Sequence, residues 1–380
     1  MFFKNARIYC SDFTFRHGCF SVCGDRFGEI LPDSVPDDAV DLQGATVIPG
    51  LVDIHTHGNS GADFSDGDYE GLANMAARLA EWGITSFAPA SMTLPYDALR
   101  QAFDNAKRFA AQENDGVSAL RGIHMEGPYL SHHQCGAQNP AHLKKPDFEA
   151  FRELFLASGG LIKIVDVAPE TEGAMDFIRR AKELCTVGVA HTGTDYDGAK
   201  SAFDAGATHL THTFNAMSGI HHRSPGVIPA AAENPNVLAE IICDGHHVHP
   251  AAVRMAFSLF KNRMILVSDA GRCAGMPDST PFTLGGQTAV LEGGVARLRD
   301  GTIACSAANL SECLKNALAF GIPEEEAVRA ATYNPACAIG AEGEIGSIEC
   351  GKRADFLICD ERYAIQAVFI GGKPLHPARI

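Results

Sequence analysis

Short apolar runs alternate with amphipathic stretches from residue 47 onward. Eight runs have the apolar density of buried strands: VIPGLVDIHTH, ITSFAPAS, ALRGIHMEG, LIKIVDVAP, TVGVAHT, HLTHTF, LAEIICDGHHV and MILVSDA. The stretches between and after them predict helices, among them 69–82, 96–111, 172–184, 197–205 and 250–261, and the segments SECLKNALAFG and PEEEAVRAATYN. Strands that alternate with helices in this way are typical of a (β/α)8 TIM-type barrel, whose active site lies at the carboxyl ends of the strands.

The two ends of the chain have a different pattern. Residues 1–46 contain short β-type runs broken by Gly, Pro and Asp, and residues 345–380 contain ADFLICD and AIQAVFIGGKPL. We therefore predict a small β-sandwich domain built from both termini, with the barrel over residues 47–344. Residues 280–303 form a hairpin-like insertion after the eighth strand, and the sequence leaves open whether it joins the small domain.

Composition and charge narrow the class of protein. The chain has 380 residues with 46% hydrophobic side chains and a formal net charge of −15, which argues against nucleic acid as a partner and against a basic membrane-binding surface. The apolar run at the start is too short for a secretory signal, so we expect a cytoplasmic protein with no membrane partner. Its 12 cysteines form no CxxC pair, and we expect most of them to be reduced core residues.

Polar side chains that can bind a metal stand at the predicted strand ends. They are His55 and His57 after strand one, Glu126 after strand three, His191 after strand five, His212 after strand six, His247 after strand seven and Asp269 after strand eight. One histidine at a strand end is more often structural than a ligand, but a closed barrel brings all these ends into one mouth. The sequence therefore predicts a catalytic metal site.

The residue types indicate which side chains bind the metal and which one transfers protons. Glu126 can hold one metal or bridge two, His191 and His212 complete a first site, and His55 and His57 hold a second. We assign Asp269 as the acid/base residue, with the alternative that it serves only as a sixth metal ligand. Imidazole and carboxylate ligands suit one or two divalent ions, zinc first and iron or manganese as alternatives. Lys163 is a weaker candidate for a bridging ligand than Glu126, because it lies about five residues before its strand ends.

Several segments resemble the amidohydrolase superfamily, in order from about residue 47 to 360. PGLVDIHTHG and GSIECGKRADFLICD are general to the superfamily, whereas GIHMEGPYLS and THTFNAMSGIHHRSPG resemble its group of amino-sugar-phosphate deacetylases. The resemblance implies hydrolysis of the acetamide of N-acetylglucosamine 6-phosphate to glucosamine 6-phosphate and acetate. In that reaction Asp269 takes a proton from the attacking water and passes it to the leaving nitrogen.

The resemblance also implies the substrate contacts. Asn215 and the Ala216 backbone resemble phosphate contacts, His247 a substrate-contacting histidine, and Arg223 a phosphate-binding arginine that reaches in from the partner subunit of a homodimer. The loop CGAQNP departs from the group's GAHNP form, with Gln138 in place of a histidine that approaches the substrate.

Two alternatives stay open at this level. Gln138 cannot become an imidazolium, which motivates N-acetylgalactosamine 6-phosphate or another N-acyl amine as the substrate. The other alternative is a barrel that binds a metal or a sugar phosphate without turnover, and the complete ligand set with Asp269 argues against it.

Overall fold

The computed structural model of the chain describes residues 1–32, 34–112 and 114–376. Asp33, Glu113 and residues 377–380, which fall in the predicted domains, lie outside the described residues. Eight parallel strands form a nearly closed barrel, which confirms the predicted fold. These strands are β1 Leu51–Thr56, β2 Ile84–Ser91, β3 Ile123–Met125, β4 Ile162–Val167, β5 Thr186–Val189, β6 His209–Leu210, β7 Leu238–Ile242 and β8 Met264–Val267.

The barrel closes between its first and last strands through residues beside the predicted metal site. The backbone N–H of Asp269 donates to the carbonyl of His55 at 2.9 Å. The hydroxyl of Ser268 donates to the buried carboxylate of Asp53 at 2.6 Å. Closure of the barrel therefore places the ends of β1 and β8 side by side.

Helices surround the barrel and follow most of its strands. Among the described residues the α-helices are Tyr69–Glu81, Tyr96–Ala110, Phe148–Ala157, Ala174–Ala181, Tyr196–Ala205, Val227–Glu233, Pro250–Phe260, Leu310–Ala319, Glu324–Ala331 and Tyr333–Ala338. Short 3-10 turns cover Phe64–Asp66, His132–Gln134, Pro140–His142 and Lys261–Arg263. The helix predicted at 172–184 covers only Ala174–Ala181. Its late start follows from Gly173, which has a left-handed backbone with φ of 88°.

Strands from both ends of the chain form one mixed sheet. Its members are Phe2–Tyr9, Phe15–Cys23, Arg26–Ile30, Val40–Asp41, Thr46–Pro49, Phe356–Cys359, Ile365–Ile370 and Lys373–Pro374. Buried phenylalanines form much of its core, with the rings of Phe356 and Phe369 stacked at 4.3 Å between centroids. The predicted boundary at residue 47 falls inside the strand Thr46–Pro49, so the exact division into domains stays a prediction.

The insertion forms a sheet of its own. The strands Pro281–Leu284, Gln287–Glu292, Val295–Leu298 and Ile303–Ser306 pair in antiparallel order, and within the described residues none of them hydrogen-bonds to the terminal sheet. A short hairpin, Gly58–Asn59 with Ala62–Asp63, follows β1, and Ala119–Leu120 pairs beside β2. No helix among the described residues is long and apolar enough to cross a membrane.

Candidate metal centre and active site

The structure brings the six predicted metal-site residues together at one mouth of the barrel. They are His55 and His57 at the end of β1, Glu126 after β3, His191 after β5, His212 after β6 and Asp269 after β8. The carboxyl ends of parallel barrel strands point to one face, which explains how residues more than two hundred positions apart meet there. The four imidazoles and Glu126 are buried, and the side chain of Asp269 is 14% exposed.

The two oxygens of Glu126 face two different pairs of histidines. Oε1 lies 2.9 Å from Nε2 of His191 and 3.0 Å from Nε2 of His212. Oε2 lies 3.2 Å from Nε2 of His57, which in turn lies 3.3 Å from Oδ1 of Asp269. We call Glu126 with His191 and His212 subsite A, and the histidines of β1 with Glu126 and Asp269 subsite B. Glu126 is placed to belong to both.

Backbone carbonyls orient two of the four imidazoles. Nδ1 of His191 lies 2.9 Å from the carbonyl oxygen of Gln134, and Nδ1 of His57 lies 3.1 Å from that of Ala90. A carbonyl oxygen only accepts, so in the neutral imidazole Nδ1 carries the proton and Nε2 presents its lone pair to the centre of the site. This is the arrangement by which proteins orient histidine ligands for a metal.

The carboxylates of the site attract positive charge, as the pKa shifts of His57 and Glu126 indicate. Burial lowers the pKa of His57, but hydrogen bonds to Asp269 and Glu126 outweigh it and raise the pKa to about 10. Burial raises the pKa of Glu126, and hydrogen bonds from His191 and His212 reverse this and hold it well below its usual value. Buried lone pairs and carboxylates that attract protons in this way also attract a divalent cation, so the residues present fit a metal.

The backbone is strained at these same positions. His191, His212 and Asp269 have φ values of 43°, 30° and 47°, in the left-handed region that residues other than glycine rarely adopt. Each such residue costs on the order of 1–3 kcal/mol and persists only where the surrounding structure holds it. Gly136 has φ of 56° and lies so close to His191 that a Cβ there would be 3.3 Å from the ring, so a side chain at this loop position would be strained.

A cavity of about 360 Å³ lies beside the metal-site residues. It is lined by four of the predicted substrate-binding residues, Gln138, Asn215, Ala216 and His247, and by Thr302, Ile303 and Ala304 of the insertion. The insertion therefore forms one wall of the candidate site, a role that the sequence pattern did not indicate.

Gln138 is held between the protein backbone and Glu126. Its Nε2 donates to Oε2 of Glu126 at 2.6 Å, and its Oε1 accepts from the backbone N–H of Thr93 at 2.7 Å. These two bonds fix which end of the amide faces the site. Gln138 thus contacts the shared carboxylate directly, in addition to lining the cavity.

His247 is paired with a buried carboxylate. Its Nδ1 lies 2.6 Å from Oδ2 of Asp244. Burial lowers the pKa of His247, but the hydrogen bond to Asp244 outweighs it and raises the pKa. The same pair lowers the pKa of Asp244 to about 2, against the opposing effect of its burial.

Arg223 and Lys163 lie outside the cavity of their own chain. Arg223 is exposed and its Nη1 donates to Nε2 of His222 at 2.7 Å. Asn215 lines the cavity, and its amide donates to the carbonyl of His212 at 3.2 Å. Lys163 is partly exposed and its stem lies against Gly122, just before β3 begins.

Sequence reasoning missed a second layer of buried polar residues beneath the site. Glu240 lies on β7 and contacts His55 and His209, and Asp166 lies on β4 and contacts His124. A charged residue inside an apolar strand run, as in LAEIICDG, is the signal that could have identified Glu240, because buried charges persist only when they are paired.

A (β/α)8 barrel with histidine and carboxylate side chains gathered at the carboxyl ends of its strands defines a class, the metal-dependent barrel hydrolases. The model of the amidohydrolase family matches residues 46–375. The chain belongs to the amidohydrolase family.

Individual relatives in this family are similar over nearly their whole length. The N-acetylgalactosamine-6-phosphate deacetylase of Escherichia coli O157:H7 is 33% identical over 91% of this chain and 90% of its own. The N-acetylglucosamine-6-phosphate deacetylase of Vibrio furnissii is also 33% identical, over 94% of this chain and 88% of its own. A mutant of the N-acetyl-D-glucosamine-6-phosphate deacetylase of Mycobacterium smegmatis, solved in complex with N-acetyl-D-glucosamine-6-phosphate, superposes with a TM-score of 0.93 at 32% identity, and 99% of each chain is covered.

Proposed function

We propose that this protein hydrolyses the acetamide of N-acetyl-D-glucosamine 6-phosphate to D-glucosamine 6-phosphate and acetate. The observation that carries the proposal is Glu126, whose two oxygens face separate pairs of histidines beside Asp269 and an open cavity. Amide hydrolysis needs an activated water, a stabilised oxyanion and a proton carrier, and this site has residues for each. The N-acetylglucosamine-6-phosphate deacetylases similar to this chain support the choice of substrate.

We assign the cation ligands as the six residues of subsites A and B, with one or two divalent ions per chain. Zinc suits the nitrogen and oxygen donors best, with iron or manganese as alternatives. A bound cation would lower the pKa of water and polarise the amide carbonyl.

Asp269 is the proton carrier in this proposal. Its Oδ1 lies 3.3 Å from Nε2 of His57, at the boundary between the cation site and the cavity. In the metal-free protein burial raises the pKa of Asp269, but the positive charge of His55 and the hydrogen bond to His57 outweigh it and lower the pKa. A bound cation would take the place of that positive charge and keep the carboxylate ionised and able to accept a proton. It takes a proton from the attacking water and returns it to the leaving nitrogen of the sugar.

The remaining predicted residues bind and orient the substrate. Asn215 and the Ala216 backbone face the phosphate, His247 contacts the sugar, and Gln138 directs its amide nitrogen towards the reacting end. Because Arg223 lies outside the cavity of its own chain, we propose that it enters the cavity of a partner in a homodimer.

All 12 cysteines are free thiols, which favours a cytoplasmic location. We also keep the division into a barrel of residues 47–344 and a terminal β domain.

The test is acetate release by metal-loaded protein from four sugars: N-acetylglucosamine and N-acetylgalactosamine, each with and without a 6-phosphate. We expect the highest kcat/KM with N-acetylglucosamine 6-phosphate and loss of activity after chelation, restored by zinc. A folded, metal-loaded protein that releases no acetate from any of the four sugars would refute the proposal. A higher kcat/KM with N-acetylgalactosamine 6-phosphate would refute the choice of sugar alone.

A further inference from the structure

Glu240 is a fully buried carboxylate that contacts both subsites from below. It lies on β7, and its Oε2 is 2.9 Å from Nδ1 of His55 and accepts from the backbone N–H of His212 at 3.1 Å. Its Oε1 is 2.8 Å from Nε2 of His209, a buried histidine outside both subsites. One carboxylate therefore joins the side chain of a subsite B residue to the backbone of a subsite A residue.

The contact with Glu240 decides which nitrogen of His55 is free. An ionised carboxylate can only accept hydrogen bonds, so Nδ1 of neutral His55 carries the proton and Nε2 carries the lone pair. Nε2 of His55 is buried without a hydrogen-bond partner among the described residues, and it lies 3.7 Å from Oε2 of Glu126 and 3.7 Å from Oδ1 of Asp269. A buried, unpartnered lone pair aimed between two carboxylates fits a ligand for a cation.

Two other histidines of the site, His191 and His57, do not depend on Glu240 for their orientation. Carbonyl oxygens of Gln134 and Ala90 orient His191 and His57. His55 has only this carboxylate at Nδ1, and a carboxylate raises the basicity of the imidazole more than a neutral carbonyl does. Loss of Glu240 should therefore act mainly on subsite B.

We propose that Glu240 is a positioning residue that fixes the tautomer of His55 and thereby sets the cation affinity of subsite B. Its bond to the backbone of His212 links that subsite to subsite A. This inference rests on the assignment of the metal ligands in the proposed function.

Two substitutions of Glu240 distinguish the effect of the His55 tautomer from the effect of the carboxylate charge. In Glu240→Gln the amide oxygen can still accept from His55 and from the His212 backbone, and the amide nitrogen can face His209, whose Nδ1 is unpartnered in the structure and can take the proton. In Glu240→Met the acceptor is lost and the tautomer of His55 is no longer fixed. Asp166, equally buried beside His124 and Thr211, provides the matched controls Asp166→Asn and Asp166→Leu.

The experiment is a zinc titration of metal-free protein against a chromophoric chelator, with zinc content measured by mass spectrometry and folding by circular dichroism. In Glu240→Met we expect subsite B to bind zinc about 10–100-fold more weakly while subsite A keeps one ion, and in Glu240→Gln we expect a smaller loss. Asp166 hydrogen-bonds to His124 and Thr211 and to none of the four histidines of the subsites, so its variants should lower both affinities less than the corresponding Glu240 variants. A folded Glu240→Met protein with unchanged affinities at both subsites would overturn the inference.

A second measurement covers the case in which Glu240→Met does not fold. Nitrogen-15 spectra of histidine-labelled, zinc-loaded wild-type protein, in which a bound cation would keep the His55 ring neutral, report the tautomer directly, with His55 assigned by its absence in His55→Asn. We expect the proton on Nδ1, and a proton on Nε2 of neutral His55 would overturn the inference. Neither measurement uses substrate, so a protein that behaves as expected here and releases no acetate would refute the proposed function and leave this inference standing.

Discussion

Two cavities of nearly equal size differ in what lines them. The cavity at the barrel mouth has a volume of about 360 Å³, and a second cavity, between the terminal strands, has about 350 Å³. The second is lined by Asp41, Leu42, Gln43, Gly44, Ala45, Ile358, Asp360, Glu361, Gln366 and Ala367. Volume therefore does not tell them apart.

The difference lies in burial and convergence of the polar groups. In the barrel cavity, buried imidazoles and carboxylates point their lone pairs at a common centre, and three of these residues have strained backbones. In the terminal cavity, the carboxylates of Asp41 and Asp360 accept hydrogen bonds from their own loops, and Glu361 is exposed. Buried polar residues with strained backbones indicate a functional site, because the surrounding structure must compensate for both the lost solvation and the strain. Solvent-exposed acids around a groove need no such compensation and give no such indication.

The largest expected effect comes from Asp269→Asn. We expect kcat to fall by about 10²–10⁴-fold, because an amide cannot accept and return the proton of the attacking water. Zinc content should stay close to that of the wild type, since the histidines and Glu126 remain. Steady-state acetate release and metal analysis on the same sample test this, and an unchanged kcat would show that Asp269 has no proton-transfer role.

Arg223→Ala should have the next largest effect. Loss of a charged hydrogen bond to phosphate costs about 1.5–3 kcal/mol, so we expect KM for the sugar phosphate to rise by about 10–100-fold. The rise should be absent with unphosphorylated N-acetylglucosamine.

Mixing subunits tests where Arg223 acts. Refolding the Arg223→Ala chain with the Asp269→Asn chain should restore about a quarter of the wild-type sites if the arginine crosses a two-fold interface, because half of the dimers are mixed and each has one complete site. No restoration in verified mixed dimers would show that Arg223 does not act across an interface.

A smaller effect is expected from Asp244→Asn. The pKa of His247 is raised above 6.5 by its pairing with Asp244, so its imidazolium persists above that pH and is lost as the pH rises through the raised pKa. Without the carboxylate we expect this loss at a lower pH, because the hydrogen bond and the charge that raise the pKa of His247 are removed. The pH dependence of KM measures the shift. His246→Asn, an exposed neighbour, is the control, and identical profiles for wild type and Asp244→Asn would contradict the assignment of His247.

The smallest effect is expected in the terminal cavity. The double variant Glu361→Gln with Gln366→Ala changes two exposed side chains of its lining. We expect kcat/KM to change by less than about twofold and the free energy of unfolding by less than about 0.5 kcal/mol. Acetate release and chemical denaturation measure these two quantities, and a tenfold loss of activity would remove the contrast between the two cavities.

Much of the fold could be predicted because each barrel strand is a local feature of the sequence. A buried parallel strand is a continuous apolar run, and the helix after it has a periodic apolar face, so both are recognisable without tertiary contacts. The helix predicted at 172–184 shows the limit of this approach. Its true start depends on the backbone conformation at Gly173, which apolar periodicity does not report.

Part of the candidate site could also be predicted from the sequence. His55, His57, Glu126, His191, His212 and Asp269 each follow an apolar run, and the barrel rule alone brings strand ends together. The cavity wall formed by Thr302–Ala304 could not be predicted from the sequence, because the register and position of the insertion depend on packing between distant segments. The assignment of these residues as ligands and of Asp269 as the proton carrier stays a prediction for the experiments above.

The sequence by itself determined the barrel, the residues at its mouth and the kind of cation that they suit, because strand length, apolar pattern and donor type are properties of short segments. Only the tertiary structure decided that Glu126 faces two pairs of histidines, that Gln138 bonds to it, and that Glu240 contacts His55. These relations depend on side-chain directions between strands that are far apart in the chain. They arise only when closure of the barrel brings those strands within hydrogen-bonding distance.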